Sequence, residues 1–192
     1  MAEDFKMRPF MVGFLSAGAA LIGWGFFSFF DPSPSSKDLN SQEVSFEDFG
    51  GITGDLPVNF ETLYYDLEKD GKTVKTCFPR KTSYVIHIWA TWCPPCVKEL
   101  PEYEKIAAQH PEKFITLSSD SLNAIKTFYK EKNISGLSVA SNEDKQIMQR
   151  LEIRSLPTTL IIKEDGKTIM FSGLLPWKNK NFIKMLKKEL KI

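Results

Sequence analysis

Hydrophobic and polar positions divide the chain into stretches of unlike period. Phe10 to Phe30, "FMVGFLSAGAALIGWGFFSFF", carries no charged residue and, as a helix, is long enough to cross a hydrocarbon core of about 30 Å. Residues 31–54 follow, rich in Ser, Asp, Gly and Pro with little periodicity, and read as a flexible linker. From residue 55 the pattern turns globular. "NFETLYYDL" and "KTVKTCF" read as short strands about the turn "EKDG". "SYVIHIWA" is a near-continuous apolar run, the signature of a central strand buried on both faces. "PPCVKELPEYEKIAAQH" reads as a helix, "KFITLSSD" as a strand, "SLNAIKTFYKEKN" as a second helix, "GLSVA" as a short strand and "EDKQIMQRLEI" as a third helix. "TTLIIKEDGKTIMFSG" predicts a hairpin about Asp165-Gly166. The last segment, "NKNFIKMLKKELKI", places Phe182, Ile183, Leu186 and Leu190 on one stripe, so its lysines are the solvated face of a helix packed on the sheet. This alternation predicts an α/β fold: a mixed central sheet flanked by helices.

Composition sharpens the picture. The 192 residues are 42% hydrophobic and 26% charged, enough to bury a core, and suit one domain, 55–192, with extra segments before it. A net charge of +1 gives no ground for nucleic acid as a partner. Lys6 and Arg8 stand just before the apolar span and only Asp31 closely follows it. Because positive flanks stay cytoplasmic, residues 1–9 are expected inside, 10–30 as a signal anchor in the lipid bilayer, and the domain on the far side. A cleaved signal peptide is the alternative, but the apolar run exceeds the 7–15 residues of a signal core.

Three cysteines are too few for a disulfide scaffold. Two of them, Cys93 and Cys96, fall where the buried strand meets the first helix. Orphan N–H groups and the macrodipole at a helix start favour an anion, so Cys93 can attack as a thiolate and Cys96, one turn on, can resolve the mixed disulfide. Other uses of the pair stay open. Zinc normally needs four ligands, and no second C-x-x-C is present; both thiolates could hold copper(I); a structural disulfide closing so short a loop adds little stability. No cofactor or resident metal is expected. The odd cysteine, Cys77, lies on a predicted strand and is expected to be a small buried apolar residue, with a link to another chain or a copper ligand as alternatives.

"IWATWCPPCVKELP" together with "IRSLPTTLII" resembles the thioredoxin superfamily, and more closely the TlpA/ResA-type membrane-anchored thiol–disulfide oxidoreductases, over roughly Asp55 to Leu190. The resemblance implies a thioredoxin-like fold, Cys93 as nucleophile behind Trp92, and Cys96 as resolving thiol. It also makes Pro101 the helix-kinking proline, and Pro157 a cis-proline that presents the Leu156 backbone to a client. It places the domain on the periplasmic side of a bacterial cell membrane, as a reductase fed by a membrane thiol-electron donor. The clients it implies are proteins with oxidised cysteines, such as those of cytochrome c or copper-oxidase assembly. Pro157-Thr158-Thr159 departs from the Pro-Glu-Thr of the cytochrome-specific branch. A disulfide-forming oxidase and a copper(I) chaperone without turnover are the competing functions. DsbA-like oxidases carry a large helical insert for which the chain has no room.

For the proton that Cys96 must gain or lose there are two candidates. His87, six residues before Cys93, stands where thioredoxins often carry a buried Asp; a neutral imidazole could move the proton, or the ring could be a hydrogen-bonded core group. Glu99, one turn after Cys96, matches an acidic residue that the family places near the cysteines, and burial would raise its pKa toward a useful range. Lys98 and Lys105 are the partners that would instead hold it as a surface ion pair.

Overall fold

The computed structural model describes residues 44–55 and 60–192. The span 10–30 therefore lies outside the described residues. Among these, no helix is long and apolar enough to cross a membrane. The strands are β1 (Ile52–Gly54), β2 (Tyr64–Lys69), β3 (Lys72–Cys77), β4 (Tyr84–Trp89), β5 (Phe114–Ser118), β6 (Ala140–Ser141), β7 (Thr158–Ile162) and β8 (Thr168–Ser172). They form one mixed sheet in the order β1-β8-β7-β4-β5-β6-β2-β3. β4 runs parallel to β5 and antiparallel to β7, so the strand that leads into the cysteines lies inside the sheet. The helices are α1 (Pro94–Ala107), α2 (Leu122–Lys132), α3 (Gln146–Arg150) and α4 (Lys180–Leu190). The α/β architecture read from the sequence is the observed one.

Every residue of β4 is buried. Val85 and Trp89 point into a core with Leu100 and Tyr103 of α1 and Phe182, Leu186 and Leu190 of α4. Tyr84, Ile86 and Ile88 point into a second core on the other face, with Leu63, Ile147 and Leu160. Each such side chain contributes about 1.5–3 kcal/mol by leaving water, so β4 is anchored from both faces. This also explains how a histidine comes to be buried there: His87 has the parity of Val85 and Trp89, and its ring lies in the α1 layer.

Four expectations need correction. Residues 46–54 are not linker. Phe46 and Phe49 pack edge-on against Phe182, and β1 pairs with β8. The first strand of "NFETLYYDL" begins only at Tyr64, because Phe60–Thr62 form a 3-10 turn. "GLSVA" yields only the two-residue β6. Glu104 on α1 takes the N–H groups of Ser135 and Gly136 that a longer strand would have spent on a neighbour. A Cβ on Gly136 would stand 2.5 Å from that of Ala108, so only glycine allows the approach. The third helix is short as well: Asn142 and Asp144 accept the Ile147 and Gln146 N–H groups in a turn, and Lys145 and Glu152 at either end have left-handed φ of 57° and 51°.

Cys77 reverses its expectation too. It ends β3, whose only strand partner among the described residues is β2, and it is exposed. A strand at the edge of a sheet leaves its outer residues in water whatever their polarity.

Candidate active site

Pro94 and Pro95 open α1, where their missing N–H groups cost nothing. Cys93 is the N-cap, and its Sγ accepts the Cys96 backbone N–H at 3.3 Å. The helix thus places a donor and its positive end on the sulfur of Cys93. Both favour negative charge on that sulfur once the pair is reduced. In this structure the two sulfurs are joined as a disulfide. The turn before them is tied down by Asp120, just beyond β5, whose carboxylate accepts the Thr91 N–H at 2.6 Å and the Ser118 hydroxyl at 3.1 Å. Pro101 lies inside α1, as expected.

A groove of about 440 Å³ runs past Cys93. Trp92, 67% exposed, forms one wall. Met148, Ile153, Arg154 and Leu156 form the other. The Leu156–Pro157 peptide is cis. The structure therefore brings Trp92, Cys93 and Leu156 together along one surface.

Behind Cys96 the surroundings are closed. Glu99 is buried at 6% exposure, and its Oε2 accepts the Leu175 N–H at 3.1 Å and the Trp177 indole N–H at 2.9 Å. Its Oε1 lies 3.5 Å from Nε2 of His87, which is itself fully buried. The other ring nitrogen, Nδ1, is 3.0 Å from the Thr159 hydroxyl on the neighbouring strand β7. Tyr103 stacks on the imidazole with centroids 4.5 Å apart, and its hydroxyl accepts that of Thr116. Burial pushes the Glu99 carboxyl up to about 7, against the two donated hydrogen bonds, which pull it down. Burial holds the His87 imidazole down to about 3, so the ring is uncharged at neutral pH. The contact is therefore a meeting of a neutral ring with a carboxyl near its midpoint, not an ion pair.

His87 and Glu99, read from the sequence as alternatives, are thus one unit. Glu99 is not the surface partner of Lys98 or Lys105; Lys105 binds Glu102 instead. Trp177, Leu175 and Asp120 were not singled out from the sequence, and Thr159 was noted only as part of the Pro157-Thr158-Thr159 stretch. "LLPW" after the hairpin offered an indole N–H with no obvious use, a signal that a buried acceptor was near. Nothing in the sequence located Thr159 beside the ring except the strand pairing, which sets it opposite His87.

A model of the Redoxin family matches residues 40–178. ResA thiol-disulfide oxidoreductase of Bacillus thuringiensis subsp. konkukian is 32% identical over 108 residues, 54% of this chain and 61% of that protein. ResA of Halalkalibacterium halodurans is 26% identical over 194 positions, 97% of each chain. The match with the Bacillus thuringiensis protein thus spans under two thirds of that relative's length. Among solved structures, the pneumococcal exposed lipoprotein thioredoxin Etrx1 superposes with a TM-score of 0.53 at 24% identity, over 66% of this chain and 99% of that one. StoA from Bacillus subtilis gives 0.50 at 18%, again over 66% and 99%. These two likenesses show the thioredoxin-like fold.

Proposed function

The chain belongs to the Redoxin family, and from that premise we propose that it is a thiol–disulfide oxidoreductase that reduces disulfides of client proteins. One observation carries the reading. Cys93 caps the start of α1 at the mouth of a groove, with a backbone N–H aimed at its sulfur. The Cys93 thiolate attacks one sulfur of the client; the client S–S bond breaks, a mixed disulfide forms, and the departing client thiolate takes a proton. Cys96 gives up its proton and attacks Cys93, the mixed disulfide breaks, and the second client thiol is released. Two electrons have passed to the client, and a thiol donor in the membrane returns the pair to its reduced form. Glu99, one turn from Cys96 and near its midpoint at neutral pH, takes up the Cys96 proton. Trp92 and Leu156 hold the client segment in the groove.

The uncharged span 10–30 behind Lys6 and Arg8 supports a single-pass anchor with the domain on the extracytoplasmic side of a bacterial membrane. Relatives named thiol-disulfide oxidoreductase support the reaction class. Clients in cytochrome c or copper-oxidase assembly fit that placement.

The deciding measurement is the reduction potential of Cys93–Cys96 in the full chain held in detergent micelles. A value near thioredoxin's roughly −270 mV is expected, and one near DsbA's roughly −120 mV would make the protein a disulfide-forming enzyme instead.

A further inference from the structure

His87 Nε2 and Glu99 Oε1 are both buried, and neither has a hydrogen-bond partner among the described residues. They face each other at 3.5 Å, long for a hydrogen bond but too close for a water between them. The remaining polar atoms of the unit are spoken for. Oε2 of Glu99 already accepts from Leu175 and Trp177, so an acidic proton on Glu99 belongs on Oε1. Nδ1 of His87 faces a hydroxyl, a group that can donate or accept. Leaving two buried polar atoms unpaired would cost stability, because neither recovers the hydrogen bond to water that it gave up on burial.

We propose that His87 is a positioning residue for Glu99 that exchanges its tautomer as Glu99 titrates, so that the pair stays hydrogen-bonded in both states while the ring remains neutral. With Glu99 protonated, its Oε1–H donates to a bare Nε2 and Nδ1–H donates to the Thr159 oxygen. With Glu99 ionised, Nε2–H donates to Oε1 and the Thr159 hydroxyl turns to donate to a bare Nδ1. Between the two states the Oε1–H and Nδ1–H bonds are lost and an Nε2–H bond is made. Thr159 keeps its single hydrogen, and one proton leaves for water or arrives from the Cys96 thiol. A surface depression of about 230 Å³, with Lys98, Glu99, Glu102, Trp177 and Lys178 in its lining, borders the buried Glu99 and shares no residue with the groove beside Cys93. A client seated in the groove therefore leaves that side of Glu99 uncovered.

The other groups that meet the pair do not compete for this proton. Tyr103 of α1 stacks on the ring, and burial drives its phenol above the ordinary tyrosine range. Trp177 lies nearly perpendicular to the His87 ring and offers only a donor to Glu99. From β5, Thr116 spends its hydroxyl on Tyr103. Lys178 pairs with Glu102 at the rim of the depression, and Lys98 is solvated.

The use of the pair rests on the thiol–disulfide reading, but its test does not. In full-length protein carrying ¹⁵N-labelled histidine, the N–H of His87 is located by ¹⁵N NMR across the pH range. The expected result is a transfer of the N–H from Nδ1 to Nε2 with a midpoint at about 7, and no imidazolium signal. Glu99→Gln abolishes the transfer. Thr159→Val removes the acceptor for Nδ1–H, favours the Nε2–H form and moves the midpoint to lower pH. A single tautomer across the range in the parent protein, or an imidazolium forming as pH falls through 6.5, overturns the proposal. Client reduction in the same samples is a separate readout, so a fixed tautomer in an active enzyme leaves the oxidoreductase reading standing.

Discussion

Cys93 and Cys96 share one helical turn, yet the groove beside the first and the packing behind the second are built in opposite ways. The groove is walled by an exposed indole, a surface arginine and a loop entering β7. The space behind Cys96 is filled by His87 and Glu99, at 0% and 6% exposure, under Tyr103 and Trp177. One side can change its side chains with little effect on folding and so can follow a client. The other sets two titratable groups in the core, where each costs stability if its partner is lost. On the proposed function, recognition and proton handling are separated by the width of one disulfide.

The largest effect expected is loss of that disulfide's chemistry. Cys93→Ser reduces client turnover to background, because no nucleophile remains to form the mixed disulfide. Cys96→Ser also stops turnover but leaves a covalent adduct with the client, visible as a higher-mass band on non-reducing gels and absent after reduction. The reverse pattern, with Cys93→Ser trapping the client, would exchange the roles of the two sulfurs.

How much of this contrast was legible in the sequence follows from the range of the forces involved. The cysteine pair, its helix, β4 and the closing hairpin were readable because period and helix-start chemistry act within a few residues. The groove residues Trp92 and Leu156 were reached through resemblance. His87 and Glu99 were each visible, but not their pairing. That depends on a strand parity and a helix packed across it, and sequence spacing alone carries neither. Cys77 and the short α3 were misread because an edge position and the side-chain bonds of Asn142 and Asp144 overrode local preference.

A smaller effect tests the buried side through stability. Glu99 folds with its pKa raised from 4.5 to about 7, so on its own it stabilises the fold fully below about 4.5 and loses that contribution as pH rises to about 7. His87 folds with its pKa lowered from 6.5 to about 3, so its contribution is present above 6.5 and is lost as pH falls through that range. Between about 4.5 and 6.5 the folded pair holds one proton, on Glu99, and the unfolded chain also holds one, on His87. The two slopes cancel, and the pair adds no pH dependence there. In His87→Gln the unfolded chain no longer binds that proton, so the variant's stability declines as pH rises from about 4.5 to 6.5 while the parent's stays level. Urea unfolding of both proteins at several pH values measures the difference; parallel curves would mean that His87 folds with an ordinary imidazole pKa.

The smallest effect belongs to the open side. Trp92→Ala removes a groove wall but little buried structure, so its cost in folding stability stays within about 0.5 kcal/mol. Its cost in client binding is larger, about 1.4 kcal/mol, or tenfold in KM with kcat unchanged, because the indole contacts the client equally before and during exchange. A small disulfide that does not fill the groove provides the control, since its reduction depends on Cys93 and Cys96 but not on the wall. Its rate is expected to be the same in Trp92→Ala and parent protein. Equal losses for the protein client and the small disulfide would mean that the indole acts on the sulfur itself, and the division between the two sides of the disulfide would then fail at Trp92.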